Sequence, residues 1–191
     1  MHLRIHRTDG KTGSYHQNEP GRAALLLKKL DPRHIFSSGP IVIGTHNPFS
    51  VLNPDDICWI EIETNLPTSV VLPDQVDQVR RLSGREEYEA LLSTQWPQWM
   101  KFKKSKEGDL LEALVEISLR GGESLFLHVT GKVTKISLVD AFFGAPVIPA
   151  TFAPHGTVYI NTKTIVRARV YHSKDKINYP PGLWFAEADE I

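Results

Sequence analysis

The sequence predicts a mainly β fold, with two tandem small β-barrels related by internal duplication and joined by a short helical connector. Three observations predict it. The chain contains itself twice, since residues 3–62 and 115–170 follow the same course about 110 positions apart. Each copy breaks into short apolar runs separated by Gly, Pro, Asn and Asp, the residues of tight turns. The stretch between the copies, residues 64–110, matches neither and carries helical spacing.

The correspondence runs block by block. Leu3-Arg4-Ile5 aligns with Val115-Glu116-Ile117, Asp9-Gly10 with Gly121-Gly122, and His16 with His128. Gly21-Arg22 then matches Gly131-Lys132, Asp31 matches Asp140, and Pro40 matches Pro146. Val51-Leu52-Asn53 matches Tyr159-Ile160-Asn161, and Ile57 matches Ile165. The resulting boundaries are 1–64 for the first barrel, 65–110 for the connector, 111–178 for the second barrel and 179–191 for a C-terminal tail.

In the second copy, Ala113–Leu119 reads as a strand and Arg120-Gly121-Gly122-Glu123 as a hairpin turn, because Gly-Gly tolerates positive φ. Leu125–Val129 returns, and Gly131–Ile136 continues it with Gly131 as a candidate bulge. Val147-Ile148, Thr157–Ile160 and Ile165–Tyr171 complete the set, the last two joined by Asn161-Thr162-Lys163-Thr164. In the first copy Thr8–Lys11 is a turn, and Ser50–Asn53, Pro54-Asp55-Asp56 and Ile57–Glu63 repeat the final strand, turn and strand. Residues 22–29 are ambiguous between helix and strand. Ala and Leu favour helix, but the matching segment Val133–Val139 is β-branched, so the repeat favours strand.

In the connector, Pro73-Asp74 opens a short helix with Val76, Val79 and Leu82 on one side. Ser83 and Glu86 have the spacing of a capping box, Tyr88, Leu91 and Leu92 follow at helical spacing, and Trp96-Pro97 stops the helix.

Lys and Arg number 22 against 22 Asp and Glu, so no global field steers nucleic acid or membrane. The charges are segregated all the same: residues 1–35 and 141–178 each carry +4, and residues 52–95 carry −6. Opposite signs within one neutral chain suggest self-complementary packing. No apolar run is long enough to span a membrane, and residues 1–7 show no signal-peptide core. The single cysteine, Cys58, excludes an intramolecular disulfide and points to a reducing, cytoplasmic setting.

The segment Val158-Tyr159-Ile160-Asn161-Thr162-Lys163-Thr164-Ile165-Val166 resembles the closing hairpin of Sm-like and SH3-like small barrels, in which a strand ends in a short polar turn carrying a basic residue. Lys163 occupies that turn, and Gly131-Lys132-Val133 followed by Asp140 resembles the family's earlier strand and acidic loop. Phe142-Phe143-Gly144 stands where the family has an aromatic or Met with Asn, so the resemblance does not extend to an Sm-type uridine pocket.

Strand parity supplies the candidate site. Cys58, Ile60 and Ile62 share one face of a strand, and Trp59, Glu61 and Glu63 the other. Val166, Ala168 and Val170 likewise oppose Arg167, Arg169 and Tyr171. The outer faces carry opposite charge at equivalent places, which predicts pairing of Trp59 with Arg167 and Glu61 with Arg169, between repeats or between subunits. The stretch Trp96–Lys106 interleaves Trp99 and Phe102 with Lys101, Lys103, Lys104 and Lys106, the ingredients of a single-strand binding surface.

Eight histidines give no metal-ligand spacing, and the sequence calls for no metal or cofactor. Cys58 reads as a core residue, and no nucleophile elbow, P-loop or dinucleotide fingerprint occurs. The sequence therefore predicts a non-enzymatic binding or assembly module that meets itself or a protein partner. The alternative is an RNA- or ssDNA-binding protein using Lys163, Arg167, Arg169 and the lysines of 101–106.

Overall fold

The computed structural model describes residues 1–37, 39–44, 48–99, 106–133, 138–152 and 155–173. The first half contains β1 (His2–Arg7), β2 (Thr12–His16), α1 (Pro20–Lys29), β3 (Ile41–Gly44), β4 (Phe49–Leu52), the 3₁₀ turn Pro54–Asp56 and β5 (Ile57–Glu63). A connector of β6 (Val76–Arg81) and α2 (Arg85–Trp99) follows. The second half contains β7 (Leu110–Leu119), β8 (Ser124–Lys132), α3 (Leu138–Phe143), β9 (Val147–Phe152), β10 (Gly156–Asn161), the 3₁₀ turn Thr162–Thr164 and β11 (Ile165–His172).

The fold is mainly β, as expected, but its strands do not show the two tandem small barrels. Nine strands join one sheet in the order β11-β7-β8-β6-β9-β10-β5-β1-β2, which is not closed, and β3 and β4 form a separate pair. The strand–turn–strand segments are not hairpins either. β10 pairs β9 and β5, whereas β11 pairs β7, because the 3₁₀ turn sends the chain to a different place in the sheet.

The two halves pair their strands in matching registers. Leu3 lies opposite Tyr15 and Ile62, and Val115 opposite Leu127 and Val170. Val51 lies opposite Val42, and Tyr159 opposite Pro149. A bulge falls at Cys58, between the pairs of Ile57 and Trp59, and another at Val166, between the pairs of Ile165 and Arg167. Even the loop bonds correspond: Thr8 N–H donates to the Asp56 carbonyl at 2.9 Å, and Arg120 N–H to the Thr164 carbonyl at 3.0 Å.

Residues 22–29 lie in helix α1, not a strand. Pro20 stands in its first turn with φ already fixed for helix, Ala and Leu sustain it, and Lys28 and Lys29 sit at the C-terminal end favoured by the helix dipole. Ala23 is buried, while Leu26, Leu27 and Leu30 pack on a first-half core of Leu3, Ile5, Ile57, Ile60 and Ile62.

Val76 and Val79 belong to strand β6 rather than a helix. β6 inserts between β8 and β9, and both valines are buried against the second half. Gly131 opposite Val76 permits the approach, because a side chain there would run into the Gln75 carbonyl. The expected bulge lies here, with its extra residue on β6. Helix α2 is held at its start by Glu87, not Glu86: the Glu87 carboxylate accepts the Ser83 N–H at 2.7 Å and Arg80 at 2.8 Å. α2 also runs through Pro97 to Trp99. Tyr88, Leu91, Leu92, Trp96 and Trp99 bury that face against Leu114, Phe126 and Tyr171, packing that outweighs the lost backbone bond.

Candidate functional site

The two halves meet at β5 and β10. Thr157 lies opposite Ile62, Val158 opposite Glu61, Tyr159 opposite Ile60 and Ile160 opposite Trp59. β10 thereby carries Tyr159 into the core of the first half, where it is 2% exposed and donates to the Ser69 carbonyl at 2.7 Å. Burial pushes its phenol up to about 12.

The turn after β10 locks the junction. The buried Asn161 amide donates to the carbonyls of Pro54 and Ile57 at 3.1 and 2.9 Å, and its oxygen accepts the Lys163 N–H at 3.2 Å. One side chain thus shapes its own turn and ties down the matching turn of the other half. Lys163 Nζ reaches Asp55 at 3.1 Å, so this basic residue meets an acid across the junction rather than standing alone for a phosphate. The ion pair is exposed and worth about 0–1 kcal/mol.

The expected outer face of β5 is not solvated. Glu61 is 5% exposed and Trp59 4%, because the sheet curls until β5 meets β6 and the β7–β8 turn. Glu61 accepts from Arg4 at 2.6 Å and also from Arg81, while Glu63 takes the other Arg4 nitrogen at 2.8 Å. His6 stacks on Trp59 with centroids 4.0 Å apart, and Arg81 lies over the Phe152 ring. Burial alone would raise the Glu61 carboxyl; the close approach of His6 at 3.5 Å and the hydrogen bond from Arg81 outweigh it and hold the group well below the usual carboxylate range. The bulge takes Cys58 off the Ile60–Ile62 face into the junction core beside Gly121, and burial pushes its thiol up.

Arg167 and Arg169 are exposed on β11, at the opposite end of the sheet segment from β5. Within one chain they do not meet Trp59 or Glu61. Arg169 instead lies opposite Glu116 in the register where Arg4 lies opposite Glu61, so the two halves carry the same pair with the signs exchanged. Trp99 is buried in the α2 core and presents no stacking face. Lys101, Phe102, Lys103 and Lys104 lie outside the described residues. His16 and His128 hold one register place with different partners: His16 stacks on His2, and His128 meets Glu112 at 2.8 Å. Asp31 follows α1 and binds Arg33, whereas Asp140 lies within α3, so they are not equivalent. Among the described residues no group of three or more His, Cys, Asp or Glu is placed to hold a metal.

Among the described residues β4, which matches β10, pairs only β3, and β11, which matches β5, pairs only β7. Phe49, Val51 and Val166 are 61, 58 and 68% exposed, whereas Thr157, Tyr159 and Cys58 in the matching positions are 3, 2 and 0% exposed. Sequence reasoning missed this site. Its signal was present in the alignment of Asn53 with Asn161 and Val51 with Tyr159, which pairs exposed residues with buried ones only once strand order is known. Comparison with protein-family models, with curated proteins and with solved structures finds no match.

Proposed function

We propose that the chain is a non-enzymatic binding and assembly module, built by duplication of a small-barrel-like unit and working by strand-edge pairing. One observation carries the reading: the chain joins its two halves through β10 and β5, and among the described residues the corresponding strands β4 and β11 each keep one edge unpaired. An unpaired strand edge presents a row of backbone donors and acceptors, and apolar side chains beside it favour pairing with another strand. Val42, Phe49, Val51 and Val166 are exposed on β3, β4 and β11, while Leu25, Val70, Val71 and Leu110 are exposed elsewhere. The polar turns Pro54–Asp56 and Thr162–Thr164 stand ahead of the closing strands, at the segments on which the resemblance to Sm-like and SH3-like units rests.

Amide hydrogen exchange on the full chain at high dilution tests this. Outward amides of β4 and β11 are expected to exchange fast, while those of β5 and β10 stay protected. Protection of β4 and β11 in the dilute monomer would mean that the chain covers its own edges, and would end the reading. Nucleic-acid binding through Lys163, Arg167 and Arg169 is the lesser reading, since Lys163 lies beside Asp55 and Trp99 is buried. It requires salt-dependent binding of a single-stranded oligonucleotide.

A further inference from the structure

We propose that β4 and β11 take a second copy of this chain as partner, with β4 of one copy pairing antiparallel to β11 of the next in the register of the internal junction. The inference rests on the assembly reading above and names its partner. Carrying the β10–β5 pairs over places Phe49 opposite Val170, Ser50 opposite Arg169, Val51 opposite Ala168 and Leu52 opposite Arg167.

Three features fit that register. Opposed residues share a face of the sheet, and Ala168 and Val170 face the junction core. Phe49 and Val51 would therefore leave water for the core side of β11. An apolar hollow lies there, lined by Val115, Ile117, Val129, Phe142, Phe143 and Val170. Val115, Ile117 and Val170 hold the register places of Leu3, Ile5 and Ile62, which lie in the core that takes in Tyr159.

The turns match as well. Asn53 shapes its turn as Asn161 does, accepting the Asp55 N–H, and it is exposed. In the proposed register its amide would donate to the Thr162 and Ile165 carbonyls of the next copy, as Asn161 does to Pro54 and Ile57. Asp55 would then approach Lys163 of that copy, repeating the complementarity already present within the chain.

Isologous alternatives fit less well. β11 against β11 sets Arg167 and Arg169 beside their own copies, and like charges directly opposite are unfavourable. β4 against β4 leaves the hollow uncovered. A head-to-tail interface produces a ring if its rotation closes and an extended array if it does not.

Register-specific disulfide formation tests the proposal. The double variant Val51→Cys/Ala168→Cys places thiols on opposed residues, within the range a disulfide spans. Cys58 is buried and stays as an internal control. Under mild oxidation this variant is expected to give trimers and higher multimers, or a closed multimer, on a non-reducing gel. Val51→Cys/Arg169→Cys, whose second thiol faces the other way, should give far less. The unmodified chain keeps the test valid if a variant misfolds: its solution mass should rise above the monomer between roughly 1 and 100 µM, with β4 and β11 amides slowing roughly tenfold or more over that range.

Equal disulfide yields from the Val51→Cys/Ala168→Cys and Val51→Cys/Arg169→Cys variants would overturn the proposed β4–β11 register. A monomer mass throughout with fast exchange in β4 and β11 would overturn it and leave the open-edge reading standing. A monomer mass with both strands already protected would overturn both.

Discussion

Asn53 and Asn161 are the same residue at the start of matching 3₁₀ turns, and they should differ sharply when each is replaced by Ala. Asn161 is fully buried and makes three bonds, to Lys163 N–H and to the carbonyls of Pro54 and Ile57. Its truncation removes all three and leaves buried backbone groups unsatisfied, at about 1 kcal/mol per bond, so ~3 kcal/mol in total. Asn53 is exposed and makes one long bond, 3.3 Å, to Asp55 N–H, which water can replace. Its truncation should cost about 0.5 kcal/mol. The assay is urea unfolding of the dilute monomer, where no second copy engages Asn53. With a slope of about 2.5 kcal/mol per molar for a chain of this size, Asn161→Ala should lower the midpoint by ~1 M and Asn53→Ala by ~0.2 M. Equal shifts for the two variants would refute the reasoning, because the inter-half bonds would then contribute nothing.

Further predictions concern the buried groups. Glu61→Gln should flatten the acid limb of stability: the depressed Glu61 carboxyl contributes stability that is fully present above its unfolded value near ~4.3 and is lost as pH falls through the lower folded value, which urea midpoints between pH 5 and 2 would read. At neutral pH, Glu61→Ala strands Arg81 against Phe152 and should cost ~3 kcal/mol. Tyr159→Phe should cost ~1 kcal/mol for the bond to Ser69. In the unaltered chain stability should fall as pH rises from ~10 toward the folded value of about 12, because the unfolded phenol ionises first; alkaline absorbance titration checks this. Cys58, fully buried with its thiol pushed up, should resist a thiol reagent until the chain is unfolded by urea; labelling of the native chain at the unfolded rate would contradict its place in the junction core.

The second half was largely legible in the sequence. Ala113–Leu119, the Arg120–Glu123 turn, Leu125–Val129 and Ile165–Tyr171 are continuous β-rich runs with local turn chemistry, and all fall within observed strands and turns. Of the aligned pairs, Ile57 with Ile165 and His16 with His128 hold like strand registers, whereas Gly21-Arg22 lies in α1 and Gly131-Lys132 in β8. The errors came where one local rule was set against another. At 22–29 the repeat points to strand and the Ala and Leu propensity to helix, and Pro20 marks the helix start that the structure has. At 76–81 valine spacing was read at helical period, although two valines around a β-bulge give the same spacing. Parity showed which residues share a face but not which faces are covered. Glu61 looked like a surface acid until Arg4, His6 and Arg81 surrounded it, because covering depends on strand order, and strand order is set by pairings about 100 residues apart, such as Ile60 with Tyr159.

On the assembly proposed above, this chain carries one junction inside itself and the two halves of the same junction on its outside. Solution mass of the unmodified chain against that of Val51→Asp, over the same concentration range, tests it most directly. The unmodified chain is expected to gain mass with concentration, while Val51→Asp, which sets a charge on the β4 edge, remains a folded monomer. Identical mass curves for the two would contradict it.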